Sequence, residues 1–391
     1  KLNALVSYRS LRIEDETLIA QPPENTLLGR VDYNLKLFKG ALTANTFYEA
    51  GSGLELRKEF LYIEVNTGQG VYTWIDYNGD GIKDLNEFEI AQYADQANYI
   101  RVFTPTNEYV RTYSNEFNQS VFWRPERIWS NEKGSKKFLA RFSNQARFRI
   151  SRKTADQTLD SYNPFLRDIA DTSLISFSST VRNTLFFNRT NALFGADYTY
   201  SEVGSKILLA NGFDGRLNNF HQINMRWNIK KKFTLTNAGE FGVRASSADY
   251  TTGRDYSITY YKIQPSFIFQ PNTKLRVSLD LRWEDKENAQ EFGGEIAEIR
   301  DIGVQFKFNQ AQQGSLQGGI NAVNIAYNGV QNNALSFEML ESLRPGVNYT
   351  WTLSYQRSIS KNLQVSIQYN GRKSEGNSAI HAGGVEVRAF F

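Results

Sequence analysis

The chain has no cysteine and only two histidines. The first absence removes disulfide frameworks, thiolate nucleophiles and thiolate metal sites. The second leaves His221 and His381 as the whole supply of imidazole bases, and neither sits in a catalytic spacing. An excess of either charge is also missing: 45 Lys and Arg stand against 41 Asp and Glu, a net +4, which gives no electrostatic case for nucleic acid. Nowhere does the chain hold the roughly 18 consecutive apolar residues that a membrane helix needs, so helical spanning is excluded. No charged start followed by an apolar core and a small-residue cleavage site opens at Lys1, so a mature form or a fragment is expected. Nothing in these residues points to an enzyme.

What is abundant is aromatic side chains, 14% of the sequence, set in long alternating runs. Leu275, Val277, Leu279, Leu281 and Trp283 interleave with Arg276, Ser278, Asp280 and Arg282. The period returns in Val347, Tyr349, Trp351, Leu353 and Tyr355, and again in Leu363, Val365, Ile367 and Tyr369. Side chains change face at each residue of a strand, so these segments have one apolar and one polar face. A soluble sandwich buries its apolar faces with strands of about 5–6 residues. Many segments here run to about 14 residues, which suits crossing a bilayer at a tilt, since the crossing takes roughly 9–11.

Short polar junctions fall near 188–191, 230–232, 270–273, 310–314 and 360–362. Between them lie the longer, softer segments 201–215, 245–254, 286–295 and 329–344. Tight turns at one end and long loops at the other describe an outer-membrane barrel. The junction spacing of about 40 residues is also a propeller period, but a blade holds four short strands where these units hold two long ones and one turn. Segments near 2–12, 27–38, 41–50, 115–124, 138–151, 173–188, 191–202, 216–230, 232–247, 255–270, 273–286, 296–309, 314–327, 345–359, 362–374 and 382–391 read as strands. The expected fold is all-β: an antiparallel transmembrane β-barrel of about 16 strands, with both termini on the periplasmic side. Residues 1–50 supply the first barrel strands, 51–114 an extracellular cap, and 115–391 the remaining barrel. At the carboxyl end Val385, Val387, Ala389 and Phe391 share a face, a pattern that resembles the last-strand signal read by the barrel insertion machinery.

The sharpest motif lies within the cap. Asp76, Asn78 and Asp80 occupy the first, third and fifth positions of a twelve-residue calcium loop, with Gly81 at the sharp turn. Ile82 offers its carbonyl, Asp84 a direct or water-mediated oxygen, and Glu87 a bidentate carboxylate. Hard oxygen donors suit Ca2+. The flanks depart from a two-helix EF-hand, because 71–75 alternates like a strand while 85–97 reads as a helix. A structural staple is therefore expected rather than a calcium-triggered opening. The run from Gly68 through Trp74 to Gly81, with Leu85 to Glu89 and Tyr99 to Phe103 after it, resembles a segment of large, mostly uncharacterised outer-membrane proteins of the Bacteroidota. The resemblance covers about fifty residues. It implies the carboxyl-terminal barrel of a longer polypeptide, brings no catalytic residues, and makes a subunit role in secretion or surface-lipoprotein assemblies conceivable.

Parity directs Arg141, Arg147, Arg149, Arg182, Arg226, Arg244, Arg276, Arg282, Lys307 and Arg388 into the lumen, with Glu240, Asp280, Asp301 and Glu386. An open pore so lined would favour anions; a filled one would use the same charges as braces. Two functions follow: a structural or export and assembly-related subunit of an outer-membrane complex, or a diffusion porin with a basic, anion-preferring lumen. The expected partners are outer-membrane lipid, the insertion machinery during biogenesis, and envelope or surface proteins. The three lysines at 230–232 read as a charged hairpin tip.

Overall fold

A computed structural model describes residues 1–12, 24–156, 159–165, 173–209, 212–249, 254–310, 313–360 and 362–390. The alternating segments are strands: β1 (Leu2–Leu11), β2 (Glu24–Leu37), β3 (Leu42–Glu64), β4 (Tyr72–Trp74), β5 (Phe88–Ile90), β6 (Tyr99–Trp123), β7 (Phe142–Thr154), β8 (Leu174–Phe187) and β9 (Phe194–Leu209). They continue as β10 (Gly212–Ile229), β11 (Phe233–Ala248), β12 (Tyr256–Phe269), β13 (Leu275–Asn288), β14 (Ile296–Gln310), β15 (Gly314–Tyr327), β16 (Gly346–Ser360), β17 (Leu363–Ser374) and β18 (Ile380–Ala389). Short helices α1 (Glu126–Trp129), α2 (Ser135–Leu139) and α3 (Ala334–Leu340) lie in connections. None is long and apolar enough to cross a membrane.

Sixteen long strands form one antiparallel sheet in which each pairs with its chain neighbours; β4 and β5 are a small insert between β3 and β6. Among the described residues no register joins β18 back to β1. Lys1 and the end of β18 lie at the same edge, here the near end, together with the tight turns. Asn188, Lys230 and Lys231 adopt positive φ of 52°, 48° and 48° there, the left-handed geometry that matches a hairpin turn to strand twist. Residues 311, 312, 361 and Phe391 lie outside the described set.

The register divides the sheet into two faces. One carries Val6, Trp227, Tyr261, Ile263, Val385 and Val387, all more than half exposed. Large apolar patches are uncommon on surfaces that face water. The opposite face is polar, and the core sits against it at the far end. There Ile299, Val323 and Ile325 bury with Leu340 and Leu343, while Ile258 and Ala297 bury with Leu335 and Met339.

Several expectations differ from the structure. The segment 201–215, read as a soft loop, is mostly strand in β9 and β10, its alternation masked by small polar residues such as Ser201, Gly204 and Ser205; residues 210 and 211 lie outside the described set. Residues 85–97 are not a helix. A single 3-10 turn at Leu85–Glu87 passes directly into β5, because Phe88 stacks flat on Tyr62 at 3.9 Å and pins the chain as a strand. The strands flanking the cap run on to Glu64 and back from Tyr99, so the interruption of the sheet narrows to residues 65–98. His381, just outside the expected last strand at 382–391, lies in β18.

Candidate functional site

Two connections meet over the polar face at the far end. The first contains β4, β5 and the acidic loop; the second, between β15 and β16, contains α3. This helix starts from Asn333, whose side chain accepts the Ser336 N–H at 2.7 Å while the Ser336 hydroxyl accepts from the Asn333 N–H at 3.0 Å. That reciprocal cap satisfies amides that would otherwise face the core. Met339 is fully buried, and Glu341 ends the helix in left-handed backbone at φ 55°.

Ion pairs hold α3 to the strands. Arg282 reaches both Glu341 carboxylate oxygens at 3.0 Å, and Lys286 reaches Glu341 at 3.0 Å and the Met339 carbonyl at 3.1 Å. Arg282 also lies 3.2 Å from Glu284 and 3.6 Å from Asp301, and Arg244 donates to Glu338 at 3.0 Å. Burial alone would raise the Glu341 carboxyl, but Lys286 and Arg282 overcome it and hold the group at about 2. Each of these buried charges faces one of opposite sign, the condition under which they persist away from water, although Arg282 Nε and Asp301 Oδ1 make no hydrogen bond among the described residues.

The cap is tied to the same face. Arg254 donates to the Asn86 carbonyl at 2.6 Å and to Glu89 at 2.7 Å, and Arg372 pairs with Asp95 while lying 4.7 Å over the Tyr93 ring. Burial pushes the Glu89 carboxyl up against the pull of Arg254. Tyr93 packs on the cluster around Leu340 and Leu343, and the Asp76 carbonyl receives Asn332 at 3.5 Å, so the two connections touch.

In the acidic loop, Asp76 accepts the Gly79 and Gly81 amides at 2.7 and 3.0 Å, Asn78 accepts from Asp80, and Asp80 accepts from Ile82 at 2.7 Å. Gly79 and Gly81 take φ of 77° and 74°, with open space where a Cβ would stand. Glu87 is committed elsewhere: it is buried and accepts the Trp74 indole at 2.8 Å and the Tyr77 amide at 3.1 Å. Among the described residues no group of three or more acidic or histidine side chains is arranged to hold a metal. The donors of Asp76, Asn78, Asp80, Ile82 and Asp84 fit a hard cation chemically, whereas Glu87 would have to share or release its present donors.

The lumen candidates separate into two groups. Braced ones are Arg149 with Glu116 at 3.2 Å, Arg244, Arg282, and Arg388 with Glu386 at 2.7 Å; Arg226 donates to the Asn191 carbonyl at 2.8 Å. Glu240 accepts from Lys262 at 3.2 Å, and Asp280 accepts the Ser278 hydroxyl at 2.9 Å. Arg147 stands opposite Arg182, and Arg276 opposite Lys307, with no acidic partner among the described residues. Arg141 lies outside the strands, between α2 and β7. Both histidines lie on the apolar face and meet a tyrosine of the preceding strand, Tyr198 for His221 at 2.6 Å and Tyr369 for His381 at 2.7 Å.

Sequence reading missed Glu338, Glu341, Lys286, Arg254 and Arg372. The one available signal was Asn333 followed three residues later by Ser336, ahead of a short apolar run. No protein-family model matches the chain, and no curated protein matches it.

Proposed function

We propose that the sheet closes through β1 and β18 into a transmembrane barrel of the bacterial outer membrane, and that the chain is a structural or export and assembly-related subunit of an outer-membrane protein complex. The observation that carries this reading is the stopper: α3 and the cap sit on the polar face at one end, joined to the strands by buried ion pairs. A face braced in this way suits a scaffold better than an open conduit. The exposed apolar face supports contact with lipid. The resemblance to large Bacteroidota outer-membrane proteins agrees, with the insertion machinery engaged in biogenesis and envelope or surface proteins meeting the cap. The acidic loop is assigned to Ca2+, held by Asp76, Asn78, Asp80, Ile82, Asp84 and Glu87, as a staple of the cap. When bound, the ion would neutralise the carboxylates and stiffen the loop beside Asn332.

Planar-bilayer recording tests the choice. The purified protein is expected to pass no large steady current, and removal of residues 331–343 is expected to open one. A large steady current from the intact chain would favour the anion-preferring porin, whose specific support is the pair of unbraced cation couples. A protein that stays folded and monodisperse without detergent would overturn the membrane reading itself.

A further inference from the structure

Across the near half of the polar face, one row of register partners reads Arg276, Lys307, Gln317, Ser354, Gln368. Like charges directly opposite each other in adjacent strands repel, since their Cβ atoms lie about 4.5–5.5 Å apart. On the same face Arg282, Lys286, Arg244, Lys262 and Arg372 are answered by carboxylates, whereas this couple, like Arg147 and Arg182, is not among the described residues. Arg276 and Lys307 have no ion pair or hydrogen-bond partner among the described residues. Both are exposed into a hollow of about 660 Å3.

The lining of that hollow explains what the couple is suited to hold. Gln305, Gln317, Gln368 and Asn370 supply amide donors, Ser354 and Thr352 hydroxyls, and no Asp or Glu borders it. Gly319 leaves the floor bare beside Gln305, where a Cβ would lie 3.1 Å from the Gln305 Cγ. Asp280 borders the adjoining hollow, which Arg276 also lines, and is engaged by Ser278. Two cations unpaired by any carboxylate among the described residues, in a hollow whose other polar lining is neutral, are the elements of an oxyanion site, because charge-assisted hydrogen bonds to a doubly charged oxygen cluster are among the strongest available. We propose that Arg276 and Lys307 form a binding site for a phosphate group, or another doubly charged oxyanion of that class, carried on a small water-soluble molecule. The proposal rests on the polar hollow and not on the membrane or stopper readings, so it stands or falls separately from them.

Isothermal titration of the whole purified chain with inorganic pyrophosphate, at constant ionic strength and with chloride as control, tests it. The native chain is expected to take up one pyrophosphate. Arg276→Gln and Lys307→Gln should each weaken uptake at least tenfold, while Arg388→Gln, whose cation is already paired with Glu386, should remain within twofold. Thermal midpoints give a second, heat-independent readout. In low-salt chloride Lys307→Gln should melt above the native chain, because one of two repelling charges is gone, and in saturating pyrophosphate it should melt below it. A crossing of this kind cannot come from general salting effects, which act on both proteins alike. Equal uptake by the native chain and both variants, no uptake by the native chain with no crossing of midpoints, or equal loss in Arg388→Gln would each overturn the site.

Discussion

Glu341 sits where three demands converge: it ends α3 in left-handed backbone, lies mostly buried, and accepts from two cations of β13. Its carboxyl is held at about 2, below an ordinary 4.5, so ionisation favours the docked state. The folded value is depressed, so this contribution is complete above pH 4.5 and disappears as pH falls towards 2. Protease protection of the connection between β15 and β16 should therefore decline across that window in the native chain. Glu341→Gln should lower docking stability by about 3 kcal/mol at neutral pH, the order expected for breaking a buried pair, and should flatten the decline. Unchanged protection at both pH extremes would remove Glu341 from the latch. Met339, fully buried beneath the same helix, offers a check without charge: truncation to alanine should cost about 2–5 kcal/mol of docking.

At the scale of elements, the acidic loop and α3 are neighbours through Asp76 and Asn332. If the loop takes Ca2+, millimolar calcium should raise the thermal stability of the native chain over that in chelator, and Asp76→Ala and Glu87→Ala should abolish the difference. Equal melting of the native chain in calcium and chelator would dismiss the metal. Glu87→Ala should also lower stability in chelator, because it strands the Trp74 indole and the Tyr77 amide, whereas Asp76→Ala affects only exposed turn amides. Which elements were legible follows from their length. A strand such as β13 repeats its period of two over 14 residues, so the apolar set Leu275 to Trp283 declares itself. The helix α3 spans 7 residues, and its buried positions include Ala334, Leu335, Ser336, Met339 and Leu340, so too few turns exist for a period of 3.6 to emerge. Leu85 to Glu89 failed for the opposite reason: Phe88 has a partner, Tyr62, that lies 26 residues away and is invisible to any local pattern.

For the whole molecule, the decisive prediction is closure. The chain lacks cysteine, so introduced pairs report cleanly. With Val6→Cys on β1, one of Val385→Cys, Val387→Cys or Ala389→Cys on β18 should cross-link in the folded protein. Glu386→Cys, on the other face, should not, because side chains of paired strands match in parity. Failure of every apolar-face pair would leave the sheet open at β1. Parity also explains how much of the polar face was readable in advance. Once Arg282 and Asp301 share a face, the period carries that assignment along both strands to Arg276 and Lys307. Which cations would be braced was not readable, since Glu338, Glu341, Glu89 and Asp95 arrive from connections whose docking no strand pattern encodes.

The ties of the cap have a consequence for timing. Arg254 meets Glu89 across 165 residues of chain, and Arg372 meets Asp95 across 277. Neighbouring strands pair over short separations and can form hairpin by hairpin, whereas contacts this distant become available only after the intervening chain is in place. Residues 65–98 are made early, and their tie from Asp95 to Arg372 must wait until β17 has joined the sheet. Locking of the cap is thus a late event in maturation, and a chain whose last hairpin fails to form would carry an unfastened cap as its visible mark.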